Sequence, residues 1–181
     1  MEFIKRNPKI FVLSGKARSG KTETAKIIEN YYKEKKCITI SFAYYLKDYV
    51  KRITGWDENE NTKPRELLQK LGIELIKNNI DDKLLINRIL QDIEVFSYFY
   101  DIIIISDARL VDEIESIKNK YPNLVSIRIS NDKRNNLTKE QKNHITETGL
   151  DNYNNFDYFV NNNYSNLEEE IKNILRSVEY E

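Results

Sequence analysis

Residues 15–22 read Gly15-Lys16-Ala17-Arg18-Ser19-Gly20-Lys21-Thr22, a complete match to the pattern G-x-x-x-x-G-K-[ST]. The pattern cradles phosphate only where a strand runs into the loop and the loop runs into a helix. Both flanks are present: Lys9–Ser14 is the short apolar run of a buried parallel strand, and the residues from Glu23 to Lys36 suit a helix. Gly15 and Gly20 admit backbone conformations closed to residues with a Cβ, so N–H groups across Gly15, Ala17, Arg18, Ser19 and Gly20 can converge on one anion. The helix start adds unsatisfied donors and a partial positive charge. Lys21 then reaches the β- and γ-phosphates of a nucleoside triphosphate, and the Thr22 hydroxyl is available to Mg²⁺.

Four more strand candidates follow, Cys37–Phe42, Asp101–Ser106, Leu124–Ser130 and Asp157–Asn161, with helical patterns between them. That alternation predicts an α/β fold with a central five-stranded, mostly parallel sheet covered by helices on both faces. After the second strand, Leu46, Val50 and Ile53 recur at helical spacing, with Lys47 and Lys51 on a more polar side. Thr62 and Pro64 open a helix whose apolar stripe is Leu67, Leu68, Leu71 and Leu75. Arg65, Gln69 and Gly72 share a different face of it, where the glycine would let a ligand approach closely. The pattern from Asp82 to Phe96 turns Leu85, Ile89, Ile93 and Phe96 inward. A final helix carries the capping box Ser165-x-x-Glu168 and buries Leu167, Ile171, Ile174 or Leu175, and Val178.

Composition narrows the chemistry. Lys plus Arg and Asp plus Glu both number 29, so no net field draws the chain to nucleic acid or to a membrane. Cys37 and His144 are the sole cysteine and histidine, which excludes an internal disulfide and a Cys/His zinc cluster, and leaves hydrolytic triads His144 alone. Residues 1–8 are charged and lack the apolar centre of a signal peptide, and no apolar run is long enough to span a bilayer. The expectation is one cytoplasmic domain across residues 1–181, a monomer or a homodimer, acting on small-molecule substrates.

Asp107 ends the third strand candidate, where ligands of open parallel sheets bind. It is placed either to serve Mg²⁺ or to cap the helix that begins near Leu110. Arg109 lies at the same mouth, set for phosphate oxygens or for an ion pair with Asp112 or Glu113. Arg65 heads the stripe with Gln69, as a phosphate ligand or as a solvated helix start. The stretch from Asn131 to Thr148 is long, polar and rich in Lys and Arg, as lids are, and Arg128 or Arg134 would be its arginine.

With these residues in view, the chain resembles the deoxynucleoside monophosphate kinase family of P-loop kinases, relatives of adenylate kinase and dephospho-CoA kinase. Beyond the glycine loop, the resemblance rests on Ser41-Phe42-Ala43 with Leu46-Lys47, on Pro64-Arg65-Glu66-Leu67-Leu68-Gln69-Lys70-Leu71-Gly72, on Ser106-Asp107-Ala108-Arg109 and on His144-Ile145-Thr146-Glu147. It implies a three-layer P-loop NTPase-type fold with a helical monophosphate-binding region at about 43–98 and a lid at about 131–148. It further implies that Lys21 and Thr22 hold ATP and Mg²⁺, with Asp107 on the metal, and that Arg128 and Arg134 belong to the ATP side. Ala43, Lys47, Arg65, Gln69, Arg109, His144 and Glu147 fall to the monophosphate side, with Lys21, Arg65, Asp107 and Arg109 as the catalytic set.

One position departs from the family pattern. Tyr44 stands where members commonly carry an acidic residue, so Asp48 or Asp107 replaces that carboxylate, or the acceptor differs. The expected reaction is transfer of the γ-phosphoryl group of ATP to a deoxynucleoside monophosphate. Dephospho-CoA kinase-like and phosphomevalonate kinase-like acceptors are the rivals on the same scaffold, and an ATP-binding regulatory protein without kinase activity is the rival of another class. Asn119-Lys120-Tyr121-Pro122 lacks the aspartate of the guanine-reading Asn-Lys-x-Asp, which argues against a GTPase switch.

Overall fold

Runs of isoleucine, valine and leucine become the centre of a sheet because, with both faces covered, every side chain of a central strand is removed from water. In the computed structural model, which describes residues 2–131, 138–163 and 166–180, the strands are β1 (Lys9–Ser14), β2 (Cys37–Ile40), β3 (Ile102–Ala108), β4 (Val125–Ser130) and β5 (Tyr158–Asn161). They pair in parallel throughout, in the order β2-β3-β1-β4-β5. The helices are α1 (Lys21–Tyr31), α2 (Phe42–Thr54), α3 (Arg65–Lys70), α4 (Leu84–Phe96), α5 (Val111–Lys120), α6 (Lys139–Asn143), α7 (Ile145–Thr148) and α8 (Leu167–Tyr180).

Alternation along β1 divides the core. Phe11 and Leu13 face α1 and α8, joining Ile28, Ile104, Ile127, Ile171 and Leu175. Ile10 and Val12 face α4 and α5, joining Ile89, Ile93, Ile103, Ile105, Ile114 and Ile117. The layers are therefore helix, sheet, helix, as the alternating pattern predicts. A separate small cluster of Val50, Trp56, Leu71 and Ile76 ties α2 to the helices after it.

Several boundaries differ from expectation. The first helix stops at Tyr31, and the second strand stops at Ile40, because Ser41 caps α2 by accepting the Tyr44 N–H at 3.1 Å. β3 runs on to Ala108 and holds one extra residue against β1: Val12 pairs with Ile105, yet Ser14 pairs with Ala108. The bulge carries Ser106 and Asp107 at the strand's carboxyl end. The stripe predicted from Leu67 to Leu75 fails for a geometric reason. From Leu71 to Ile80 the helix widens to π-type turns, with the Asp81 N–H bonded to the Ile76 carbonyl at 2.9 Å. The buried partner of Leu71 is consequently Ile76, five residues on, and Leu75 is 49% exposed. Ile53 is likewise exposed at the last turn of α2, leaving Val50 buried. In α8 it is Leu175, not Ile174, that is fully buried; Ser165 and its capping box lie outside the described residues.

Candidate active site

A cavity of about 530 Å³ opens at the carboxyl ends of β1 and β3, walled by the glycine loop, α2, α3 with its widened continuation, and α7. The loop is shaped by what surrounds it. A Cβ on Gly15 would collide with the Ile129 carbonyl, and one on Gly20, whose φ is 111°, would collide with the Asn162 side chain. Asn162 Nδ2 in turn donates to the Ser19 carbonyl at 2.9 Å. Arg18 adopts a left-handed φ of 64°, which turns successive amides along the loop. The Ser19 hydroxyl is buried with no partner among the described residues. Glycines where a Cβ would clash keep the loop in this shape, and the orphaned hydroxyl within it fits a bound phosphate chain.

Lys21 Nζ donates to the carbonyls of Gly15 at 2.6 Å and Lys16 at 2.8 Å. Burial pushes its pKa down to about 7, and the Arg109 guanidinium adds to the effect, with Glu147 and Asp107 opposing it. An ammonium poised near neutrality stands ready to be fully charged by an arriving polyanion. Ala17, Arg18 and Thr22 line the same cavity.

Asp107 lies across from them. Its Oδ1 accepts the Phe42 N–H at 2.8 Å and its Oδ2 the Ala43 N–H at 2.9 Å, so it caps α2 and not the helix after Leu110. That later cap comes from Glu113, whose Oε2 accepts the N–H groups of Arg109 at 2.7 Å and Leu110 at 3.0 Å. Burial raises the Glu113 carboxyl to about 8 despite those bonds. Its place at the third helical position is the sequence signal that could have identified it. Tyr44 is 65% exposed and Asp48 pairs with Arg52 at 3.0 Å, so of the two proposed substitutes for the missing acid, Asp107 is the one in the cavity.

Ala43, Lys47, Arg65 and Gln69 all line the cavity, with Lys63 and Glu60 beside them. Arg65 pairs with Glu60, which also holds Lys63 at 2.9 Å. Gln69 Nε2 donates to Thr146 Oγ1 at 3.3 Å. Gly72 lines the cavity with Arg65 and Gln69, and it also packs closely, since a Cβ there would lie 3.1 Å from Leu46 Cδ1.

Arg109 is bound neither to the Asp112 nor to the Glu113 carboxylate through its side chain. Its Nη1 pairs with Glu147 and donates to the Thr146 carbonyl at 3.1 Å. Arg128 is a sheet residue on β4, not part of a lid; its Nη1 donates to Ser14 Oγ at 2.9 Å. Arg134 lies outside the described residues. Between Thr138 and Thr148 the expected polar loop is two short helices, capped by Thr138 and by His144. His144 Nδ1 accepts the Thr146 N–H at 3.3 Å and does not line the cavity, whereas Glu147 does. Asp151 and Asn162, which hold the loop from outside, carry no signal in the sequence, since each lies more than a hundred residues from its partner.

A family profile described as deoxynucleotide monophosphate kinase matches residues 41–174. A search of curated proteins finds no significant match. Among solved structures, a sugar kinase from a Janibacter species superposes with a TM-score of 0.59 at 10% identity, over 96% of this chain and 95% of its own. A mutant of the Mycobacterium tuberculosis APS kinase CysC gives 0.53 at 10% identity, over 96% and 99%. A gluconokinase from Sinorhizobium meliloti gives 0.52 at 12% identity, over 97% and 94%. At such identities the likeness establishes the α/β P-loop kinase fold. Among the described residues, no helix is long and apolar enough to cross a membrane.

Proposed function

The chain belongs to the deoxynucleotide monophosphate kinase family and is an ATP-dependent phosphotransferase, and from that premise we propose that it moves the γ-phosphoryl group of ATP onto the phosphate of a deoxynucleoside monophosphate, in the cytoplasm. The observation that carries this reading is a single cavity lined both by the glycine loop with Lys21 and by Arg65, Gln69 and Arg109. One wall suits a triphosphate and the other suits a second anion, within one cavity.

The acceptor oxygen is already anionic, so no strong base is required. Positioning and charge neutralisation supply the rate. In this reading Lys21 and the loop amides hold the triphosphate, with Arg18 and Arg128 at its flank. Arg65, Lys47 and Gln69 hold the acceptor phosphate, and Arg109 faces the group in flight. Residues 43–98 present the acceptor, and Gln141, Thr146 and Glu147, from the described part of the 131–148 segment, wall the cavity against water; residues 132–137 lie outside the described residues. Thr22 and Asp107 would hold Mg²⁺, which supplies neutralisation of phosphate charge.

ADP production by the purified chain, measured over a panel of deoxynucleoside monophosphates, ribonucleotides, dephospho-CoA and phosphomevalonate, tests the assignment. Stimulation by at least one deoxynucleotide above the others is the expected result. Stimulation only by dephospho-CoA or phosphomevalonate would replace the acceptor, and ATP binding with no stimulated turnover would favour a regulatory protein.

A further inference from the structure

Two carboxylates outside the glycine loop grip its first half. Glu147, in α7, accepts the Ala17 N–H through Oε2 at 2.9 Å and pairs through Oε1 with Arg109. Asp151, four residues on, pairs through Oδ2 with Lys16 Nζ at 2.9 Å and through Oδ1 with Arg128 Nη2 at 3.4 Å. Each acid therefore joins one loop residue to one guanidinium.

Each arginine is fixed at a second point as well, Arg109 by the Thr146 carbonyl and Arg128 by Ser14 Oγ. A guanidinium on a free side chain would have to be ordered at every turnover, and fixing it beforehand removes that entropic cost. Glu147 is 6% exposed and has both oxygens engaged. A buried carboxylate beside phosphates would repel them unless matched by a cation, so its useful contact is with Arg109 and not with substrate.

We propose that Glu147 and Asp151 are positioning residues for phosphoryl transfer: Glu147 holds Arg109, which lines the cavity, Asp151 holds Arg128, which does not line it, and through Ala17 and Lys16 the two acids set the shape of the loop. The charge of Arg128 is nonetheless felt at Lys21. This rests on the phosphotransferase reading above and moves Glu147 from the acceptor-contacting set to a role exerted through Arg109. Asp151 is the more exposed of the two and its contact with Arg128 is the longer, so its effect is the smaller.

The test is a pair of double-mutant cycles on the full chain. Glu147→Gln keeps an oxygen for the Ala17 N–H and removes the charge that holds Arg109. It is expected to lower kcat by about tenfold to a hundredfold while the acceptor KM changes less than about threefold. Glu147→Asp is expected to recover part of the loss. Combined with Arg109→Ala, Glu147→Gln is expected to add no further loss, because both changes remove one action. Asp151→Asn with Arg128→Ala is expected to behave alike at about fivefold.

The same cycles read in ATP affinity by calorimetry do not depend on turnover. Wild-type chain that binds ATP yet phosphorylates no acceptor would overturn the functional reading alone. A kcat within about twofold of wild type for Glu147→Gln, or losses that multiply in either cycle, would overturn the positioning role. If Glu147→Gln does not fold, the Asp151 cycle at the more exposed pair decides the matter by the same criteria.

Discussion

Along β1 and β3 the side chains of Phe11, Val12, Leu13, Ile103, Ile104 and Ile105 are wholly buried, whereas from Phe42 to Ile80 only Val50 is, among the described residues. In that second stretch Ile53 and Ile80 are 68% and 60% exposed. The glycine loop thus hangs on a sheet covered on both faces, and the region proposed to present the acceptor hangs on a small cluster and a widened helix. Regions with few buried contacts open locally at small cost, and enzymes that close on substrate draw their moving parts from such regions. On the proposed reading, the contrast would separate a site fixed before ligand arrives from one that ligand arranges.

The strongest way to break the contrast is on the rigid side. Lys21→Ala is expected to cost about a thousandfold in kcat/KM, since it removes a preorganised charge at the phosphates. Its melting temperature should stay at or above that of wild type, because a buried amine with a depressed pKa is lost. Steady-state kinetics beside calorimetric melting checks both halves of the statement.

Ile104→Ala, in the centre of the sheet, is expected to destabilise by about 4 kcal/mol in urea unfolding. Ile76→Ala on the acceptor side should cost about 2 kcal/mol, and Leu75→Ala, one residue away, less than about 0.5 kcal/mol. Equal costs at positions 75 and 76 would mean that the helix is not widened there. Hydrogen exchange sharpens the same point: amides of α2 and α3 should exchange well before those of β1 and β3.

The effect that needs the finest comparison across conditions is pH dependence. Glu113 has its folded pKa raised to about 8, so between the ordinary carboxylate range and pH 8 the folded state holds a proton that the unfolded state has lost. Its contribution to stability therefore falls as pH rises through that window, by about 1.4 kcal/mol per pH unit at most. Lys21 acts with the opposite sign above about pH 7, where the folded state has already released a proton that the unfolded state keeps. Stability should pass through a minimum near neutrality. Glu113→Gln should flatten the acid-side limb and leave the alkaline one, as melts across pH 5 to 9 would record.

What could be read from the chain divides along the same line. The strands are legible because full burial forces unbroken apolar runs, and the glycine loop because its backbone geometry admits few residues. Arg65, Gln69 and Arg109 do reach one cavity, as their spacing and the family resemblance implied. The widened helix is not legible, because a stripe at i, i+4 and one at i, i+5 differ only in which of Leu75 and Ile76 is buried. Arg128 misleads because a long polar segment draws the eye away from a strand end. The partners of the loop, Glu147, Asp151 and Asn162, are set by tertiary approach, which no local pattern records.

That last group has a consequence for synthesis on the ribosome. The loop at residues 15–22 emerges first, yet the side chain that fills the space beside Gly20 and bonds the Ser19 carbonyl belongs to Asn162. A nascent chain shorter than this owns every amide of its phosphate cradle but lacks the side chain that closes its far end. ATP binding by a truncated chain that stops short of Asn162 should therefore be weaker than binding by one that includes it.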